Sequence, residues 1–148
     1  MRHKVLFLCA FIAAWAAVPR AFAEDPASAE ALSVVGTPYV RGGESPRRGF
    51  DCSGLVVYVY RAALGIELPR RVAELKNVGT RVRLRELQPG DLVFYNTRRR
   101  PYSHVGIYVG GGRFVHAPRP GARVRVEEIG KHYWRARFDG ARRIETGT

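Results

Sequence analysis

Residues 52–64 form an apolar stretch in which leucine, valine, tyrosine and alanine predominate. Many of these residues favour strands, so composition alone leaves both helix and strand open. Length favours a helix, because thirteen residues exceed a typical buried strand, and Gly65 followed by Pro69 is typical of a helix end. Asp51 is a favourable N-cap, which predicts that Cys52 lies in the first turn of this helix.

A shorter helical pattern lies upstream at residues 25–35, where Asp25-Pro26 predicts the start of a helix and Gly36 its end. Residues 39–50 are rich in glycine, proline and arginine, a composition typical of a loop. The first half of the chain therefore predicts two helices joined by one long loop.

Apolar positions in the second half come in short runs bounded by turn residues, a pattern typical of β-strands. Five strands are predicted, at residues 91–95, 104–109, 113–117, 123–126 and 135–138. Helices that precede the strands, rather than alternating with them, favour an α+β fold with an antiparallel sheet.

The first 23 residues have the features of a secretory signal peptide. Arg2 and Lys4 precede an uncharged apolar run at residues 5–18, and Ala21-Phe22-Ala23 supplies the small residues of a cleavage site. A membrane anchor is the alternative, but the run is shorter than the roughly 20 apolar residues that span a bilayer. We expect cleavage after Ala23, leaving residues 24–148 as one exported domain, periplasmic or extracellular, with no stable membrane anchor.

The chain is strongly basic, with 25 Lys and Arg against 13 Asp and Glu. The predicted signal peptide contains three of the basic residues and none of the acidic ones, so residues 24–148 carry a net charge of +9. This charge predicts a polyanionic partner, or simply a solvated basic surface. Nucleic acid is disfavoured, because the basic residues are scattered and are not interleaved with stacking aromatics. An anionic polymer of the cell envelope is the expected partner.

Cys52 is the one cysteine that follows the predicted signal peptide, since Cys9 lies within it. An unpaired thiol in an exported domain is a candidate reactive group. The N-terminus of a helix lowers the pKa of a thiol, and the backbone N–H of Cys52 is placed to bind an oxyanion. An inert, buried cysteine is the alternative. The Asp51 cap and the exported setting favour a nucleophile.

His104 and His116 lie on neighbouring predicted strands around Gly110–Gly112. If these glycines form the turn and Val109 faces Arg113, the two histidines are diagonal neighbours on one face of the sheet. A shift of one residue would place them on opposite faces. A histidine within reach of a thiol can act as its base, so this pair is the candidate partner of Cys52.

A metal site built from Cys52, His104 and His116 is disfavoured, because sequence gaps of 52 and 12 residues do not match the compact ligand pairs of zinc sites. We therefore expect neither a metal nor another cofactor. His132 lies in a basic, aromatic stretch and is expected on the surface.

Five motifs occur in order between residues 29 and 143. They are Gly36-Thr37-Pro38-Tyr39-Val40-Arg41-Gly42-Gly43, Gly49-Phe50-Asp51-Cys52-Ser53-Gly54-Leu55-Val56, Leu87-Gln88-Pro89-Gly90-Asp91-Leu92-Val93, Ser103-His104-Val105-Gly106-Ile107-Tyr108 and Phe114-Val115-His116-Ala117. In order and spacing, the chain resembles the NlpC/P60 family of papain-like cysteine peptidases, which act on bacterial cell-wall peptides. The resemblance implies a helical half packed on a small antiparallel sheet or barrel.

By this resemblance Cys52 is the nucleophile, His104 is the general base, and His116 is the polar residue that orients the His104 ring. Tyr39 corresponds to the family's tyrosine beside the oxyanion site. Supporting roles are implied for three motif residues, Asp51, Ser53 and Ser103. The implied reaction is amide hydrolysis through a thioacyl intermediate, at γ-D-glutamyl–diaminopimelate or D-alanyl–diaminopimelate bonds of peptidoglycan stem peptides.

Two features depart from the family pattern. Arg41 stands where relatives often carry an aromatic residue, and Arg98–Arg100 form a basic loop before His104. Contact with substrate carboxylates and plain solvent exposure are both open for these residues, as is the identity of the cleaved bond.

The sequence thus predicts an exported peptidoglycan endopeptidase. One alternative is a non-catalytic wall-binding or scaffold protein on the same fold, which the complete set of Cys52, His104 and His116 disfavours. Another is an amidase or acyltransferase that acts on a different substrate.

Overall fold

The computed structural model describes residues 25–147, and the signal peptide predicted at residues 1–23 lies outside the described residues. The helices of the described range are α1 (Pro26–Ser33), α2 (Cys52–Leu64), α3 (Val72–Leu75) and α4 (His132–Arg137), with a short 3-10 helix at Leu84–Glu86. The strands are β1 (Glu44–Ser45), β2 (Gly49–Phe50), β3 (Thr80–Val82), β4 (Leu92–Tyr95), β5 (His104–Gly110), β6 (Arg113–His116), β7 (Arg125–Glu128) and β8 (Phe138–Arg143). Within residues 25–147, every helix is too short or too polar to cross a membrane.

Helix α2 has the predicted bounds. Asp51 caps it by accepting a hydrogen bond from the Gly54 backbone N–H (2.7 Å), and Gly65 ends it in the left-handed conformation, with φ of 65°. Helix α1 stops two residues before the predicted end at Val35. The chain turns away there, because the Gly36 N–H donates to the carbonyl of Val124 (2.8 Å) rather than continuing the helix.

Strands β3 to β8 form a six-stranded sheet in the order β3-β8-β4-β5-β6-β7. Every neighbouring pair in this sheet is antiparallel. Strands β1 and β2 form a separate small hairpin inside the segment predicted as a loop at residues 39–50. Helices packed on an antiparallel sheet confirm the predicted α+β class.

Apolar cores lie on both faces of the sheet. Helices α1 and α2 cover one face, where Val105, Ile107 and Val115 are fully buried. The opposite face carries an aromatic core in which Trp134 covers Tyr95 and Phe114. Because side chains alternate along a strand, His104 and His116 project from the same face as this aromatic core.

Two predicted strands differ from the structure. The strand predicted at residues 135–138 is wrong, because the chain first forms α4 and enters β8 only at Phe138. Helix α4 places Trp134 in the aromatic core. The strand predicted at residues 123–126 is observed at Arg125–Glu128. It starts later because the Val124 backbone N–H donates its hydrogen bond to the carbonyl of Thr37 (2.8 Å).

The β5–β6 hairpin keeps the predicted register in its interior but not at its turn. Ile107 pairs with Val115, as predicted, whereas Arg113 pairs with Gly110 rather than with Val109. Gly111 and Gly112 form the two-residue turn, with φ of 61° and 72°, values that glycine adopts readily in a tight hairpin. The register shift between Tyr108 and Gly110 makes Val109 a bulge, so the interior pairs are preserved.

Candidate active site

Cys52 is the first residue of α2, and its side chain is half-buried. The backbone N–H groups of Ser53 and Val105 lie close enough to its sulfur to stabilise the thiolate. Val105 follows His104 in β5, so the thiol lies against the strand that carries the predicted base. Among residues 25–147, Cys52 is a free cysteine.

Two short hydrogen bonds extend from the His104 ring. His104 Nε2 lies 2.7 Å from His116 Nδ1, and His116 Nε2 lies 2.6 Å from Glu127 Oε2. The two histidines are buried, at 4% and 0% exposure. The predicted proximity of the histidines is confirmed, and Glu127 adds a carboxylate at the far end of the pair.

This order of hydrogen bonds fixes the tautomer of each ring. An ionised Glu127 can only accept, so His116 carries its proton on Nε2 and leaves Nδ1 as an acceptor. His104 then donates from Nε2 to His116, and its Nδ1 has a free lone pair. The His104 nitrogen that is not bonded to His116 is therefore in the form a general base requires.

The pKa shifts agree with this assignment. Burial, with the neighbouring His116 adding to it, lowers the pKa of His104 to about 3. Burial also lowers the pKa of His116, although Glu127 opposes this shift. The hydrogen bond from His116, assisted by Arg125, lowers the pKa of Glu127 to about 2. At neutral pH the carboxylate is thus charged and both rings are neutral.

The thiol differs from the expectation based on its position in the helix. Burial, followed by the nearby Asp51 carboxylate, raises the pKa of Cys52, while the N–H groups of Val105 and Ser53 lower it. The expected lowering of the thiol pKa is wrong, because desolvation outweighs the stabilisation that the helix end gives the thiolate. These shifts favour a neutral thiol beside a neutral imidazole.

Trp134 holds both imidazole rings from the aromatic core. Its indole stacks on His104 at 6.1 Å between centroids and meets His116 edge-on at 5.0 Å. Phe114 packs against the His116 ring at 4.9 Å. These contacts restrict ring rotation, so the hydrogen bonds are kept in one geometry.

Arg70 links Asp51 and Ser53, the two predicted residues that flank Cys52. It donates to Asp51 Oδ2 (2.9 Å) and to Ser53 Oγ (2.6 Å), and it forms a salt bridge with Glu44 (3.0 Å). Asp51 also accepts from the Gly42 N–H (2.9 Å). Asp51 and Ser53 therefore hold the start of α2 against the loop that precedes it.

Ser103 orders the basic loop that precedes His104. Its buried hydroxyl accepts hydrogen bonds from the backbone N–H groups of Thr97 (2.9 Å) and Arg98 (3.2 Å). Asp139 fixes the other end of the loop by accepting from the Tyr102 N–H (2.8 Å). The loop is thereby held at both ends, and Arg98–Arg100 are exposed between them.

A cavity of about 510 Å³ opens above the thiol. Tyr39 and Arg41 line it together with Cys52, so the structure places both predicted residues at the site. Burial and the neighbouring Cys52 raise the pKa of Tyr39, which therefore keeps its hydroxyl proton at neutral pH. Arg41 is exposed.

Comparison with known proteins identifies the family. The sequence profile of the NlpC/P60 family matches residues 36–143. The chain belongs to the NlpC/P60 family. This is a family of papain-like cysteine peptidases, so the predicted resemblance and fold are confirmed.

Two relatives and one solved structure illustrate the similarity of this NlpC/P60 chain to known proteins. The gamma-DL-glutamyl hydrolase of Bacillus subtilis is 43% identical over 136 residues, which cover 87% of this chain and 33% of that protein. The murein DD-endopeptidase MepH of Escherichia coli is 42% identical over 118 residues, 78% of this chain and 44% of that protein. The chain thus spans less than half the length of these relatives. The crystal structure of the NlpC/p60 domain of the peptidoglycan hydrolase SagA superposes with a TM-score of 0.69 at 38% identity, covering 80% of this chain and 97% of that one.

Within residues 25–147 of this NlpC/P60 chain, no group of three His, Cys, Asp or Glu side chains is arranged to hold a metal ion. The histidines at the site are already bonded to each other and to Glu127. His132 is exposed, as predicted, and lies at the start of α4.

Three residues of this NlpC/P60 site were not predicted from the sequence, namely Glu127, Arg70 and Trp134. Glu127 could have been predicted from the strand pattern of the sequence, because it lies on β7 diagonally across from His116, whose direct partner is Arg125. The strand predicted at residues 123–126 stopped one residue short of it. Arg70 and Trp134 reach the site through tertiary packing, which gives no local pattern.

Proposed function

We propose that this protein is an exported cysteine endopeptidase that hydrolyses amide bonds in peptidoglycan stem peptides. The observation that carries the proposal is the hydrogen-bonded line from Glu127 through His116 to His104. The residue after His104, Val105, has its backbone N–H close to the thiol that begins α2. Support comes from relatives named as a murein DD-endopeptidase and a peptidoglycan hydrolase.

In the first step, Cys52 Sγ attacks the carbonyl carbon of the scissile amide while His104 Nδ1 takes the thiol proton. The carbonyl oxygen becomes an oxyanion. It accepts hydrogen bonds from the backbone N–H of Cys52, which as a first-turn group has no acceptor within the helix, and from the Tyr39 hydroxyl. The positive charge on His104 is stabilised by His116 and, through it, by the Glu127 carboxylate.

Collapse of the oxyanion restores the carbonyl and breaks the C–N bond, as His104 returns its proton to the leaving nitrogen. The products of this step are a free amine and a thioester on Cys52. Water then attacks the thioester with His104 as base, which releases the carboxylic acid and the Cys52 thiol. One water is consumed for each amide cleaved, and the enzyme returns to its initial protonation state.

The signal peptide at residues 1–23 would direct the domain of residues 24–148 to the envelope, where its substrate is located. The candidate bonds are γ-D-glutamyl–diaminopimelate and D-alanyl–diaminopimelate. Relatives are named for both chemistries, one as a gamma-DL-glutamyl hydrolase and one as a DD-endopeptidase.

Digestion of purified peptidoglycan tests the proposal. Wild-type protein should release new muropeptides, whose masses identify the cleaved bond, whereas Cys52→Ala should release none. A substitution of the exposed His132, His132→Ala, serves as the matched control and should keep full activity. Unchanged muropeptides with folded wild-type protein would rule out the peptidase function.

A further inference from the structure

A pair of like charges lies at the edge of the sheet that is farther from the two histidines. Strand β3 forms this edge, and β8 and β4 separate it from β5, which carries His104. Arg81 in β3 is exposed and pairs directly with Arg142 in β8. Like charges that face each other across neighbouring strands destabilise a sheet. The fold therefore keeps a cationic pair that its own stability does not favour.

The segment after β3 adds two more arginines to this edge. Arg83 and Arg85 flank Leu84, and the three exposed side chains line one surface depression of about 580 Å³. The backbone at Arg83 is extended, with φ of −77° and ψ of 150°, so its side chain projects to the same side as that of Arg81. We refer to Arg81, Arg83, Arg85 and Arg142, together with Leu84, as the arginine edge.

Acidic side chains near this edge act on another arginine. Arg143 donates to both carboxylate oxygens of Asp91, at 2.9 and 2.8 Å. Asp91, followed by Glu86 and Glu145, raises the pKa of Arg143. Arg142 precedes Arg143 in β8, so the two side chains point to opposite faces of the sheet. Among residues 25–147, no member of the arginine edge makes a salt bridge, so its positive charge is not neutralised there.

Leu84 decides which kind of anion fits the arginine edge. Its side chain is 47% exposed and lies between two arginines. An apolar side chain among cations is typical of surfaces that bind anionic bilayers, where charge attracts the headgroups and the apolar group enters the headgroup–acyl boundary. A soluble polyanion would use the arginines alone. The combination favours a lipid surface.

We propose that the arginine edge binds the surface of an anionic phospholipid bilayer. Its guanidinium groups bind lipid phosphates, which their planar donors match in geometry, while Leu84 reaches the boundary between headgroups and acyl chains. Such binding is reversible, because it uses charge and one apolar side chain rather than a membrane-spanning segment. None of the four arginines lines the cavity above the thiol, so the inference does not depend on the proposed function.

Vesicle binding tests the proposal directly. Residues 25–147 contain both apolar cores, so a chain of residues 24–148 keeps the fold without the apolar run at residues 5–18, which would bind lipid by itself. We expect this protein to cosediment with phosphatidylcholine vesicles that contain about one third phosphatidylglycerol, and not with pure phosphatidylcholine. Raising the ionic strength should weaken the binding, since salt screens exposed charges. No binding to the anionic vesicles at low salt would overturn the proposal.

Substitutions at the arginine edge locate the binding surface. Arg81→Gln and Arg83→Gln should each weaken vesicle binding by about fivefold, the contribution of one arginine near an anionic surface. Arg47→Gln removes the same charge at an exposed residue of the β1–β2 turn and is the matched control. Its binding should stay within about twofold of wild type. If Arg47→Gln weakened binding as much as Arg81→Gln, net charge alone would explain the affinity and the arginine edge would be refuted.

Inorganic polyphosphate separates a lipid surface from a soluble polyanion. Leu84→Ser should weaken binding to anionic vesicles and leave binding to polyphosphate unchanged, because only a bilayer offers an apolar interior. Equal vesicle binding by Leu84→Ser and wild type would show that the arginines bind phosphate groups from any source. That result would overturn the lipid assignment.

Thermal melts distinguish a lost contact from a damaged fold. Arg81→Gln removes one member of a repelling pair, so its Tm should equal or exceed that of wild type. Leu84 is exposed, so Leu84→Ser should also keep the wild-type Tm. If Arg81→Gln lowers Tm, then Arg83→Gln, which lies outside the β3–β8 ladder, decides the assignment.

Discussion

Glu127 Oε2 lies 2.6 Å from His116 Nε2, at the end of the histidine pair that faces away from Cys52. The Glu127 side chain is 17% exposed, and Arg125 lies 3.4 Å from the same oxygen. The His116 ring lies between this carboxylate and His104. Glu127 acts as a positioning residue, because it fixes the tautomers of His116 and, through it, of His104.

Removal of Glu127 should therefore impair catalysis more than binding. We expect Glu127→Ala to lower kcat by roughly 10- to 100-fold with little change in KM, since a charge-assisted hydrogen bond contributes about 1.5–3 kcal/mol. Glu127→Gln keeps an acceptor for His116 and should be less impaired. Glu128→Ala, at the exposed next position, is the control. Wild-type kcat in Glu127→Ala would refute the positioning role.

Alkylation of Cys52 reports the protonation state of the resting site. Burial raises the pKa of the thiol and lowers that of His104, so we expect the rate with iodoacetamide to rise steadily with pH through about 9. Glutathione provides the reference for an ordinary thiol. A rate plateau between about pH 5 and 7 that His104→Gln abolishes would show instead that a thiolate–imidazolium pair exists at rest.

The buried histidine should make the fold sensitive to acid. The pKa of His104 is about 3 in the folded protein and about 6.5 when unfolded, so protons bind the unfolded chain preferentially between these values. Its contribution to the free energy of unfolding is present above pH 6.5 and is lost as pH falls, by up to about 1.4 kcal/mol per pH unit. Glu127, with a folded pKa of about 2, adds to the loss below about pH 4.5.

Thermal melts at pH 7, 5 and 4 check this acid sensitivity. The Tm of wild type should fall at each step, and the fall between pH 7 and 5 should be smaller in His104→Gln. His132→Gln is the matched control, because this histidine is exposed. Identical pH profiles for wild type and His104→Gln would contradict a neutral, buried His104.

Gly54 allows close contact between α2 and the loop before it. A Cβ at this position would overlap the carbonyl oxygen of Gly43, and backbone atoms cannot yield as a flexible side chain can. We expect Gly54→Ala to lower Tm and to reduce activity by displacing Cys52. Gly130→Ala, where a Cβ meets nothing within 4 Å, should leave Tm and activity unchanged. An unaltered Tm in Gly54→Ala would show that the loop can move away.

Local patterns predicted the parts of the site that lie on regular elements. Length, the Asp51 cap and Gly65 predicted α2 and the place of Cys52, and the hairpin predicted that His104 meets His116. Glu127 was missed because the start of β7 depends on Val124 bonding to Thr37, a contact between segments far apart in sequence. Nearest-neighbour preferences contain no information about such a contact.

Tertiary packing also explains the errors around α4 and at the thiol. Residues 132–137 form a helix because Trp134 packs into the aromatic core beneath His104, and a strand preference of single residues cannot compete with that burial. The helix end at Cys52 was predicted correctly, but its effect on the thiol pKa was not. Desolvation depends on what surrounds the sulfur, and the sequence does not specify those surroundings.

Because of the bulge at Val109, the face of the sheet on which His104 and His116 lie does not depend on the length of the turn, as it would in a regular hairpin. In an unbroken ladder, the number of turn residues would decide whether His104 and His116 lie on the same face of the sheet or on opposite faces. Here one extra residue is absorbed at Val109, next to the turn, while Ile107 stays opposite Val115. The length of the glycine turn can therefore change without inverting the face of the sheet on which His104 and His116 meet.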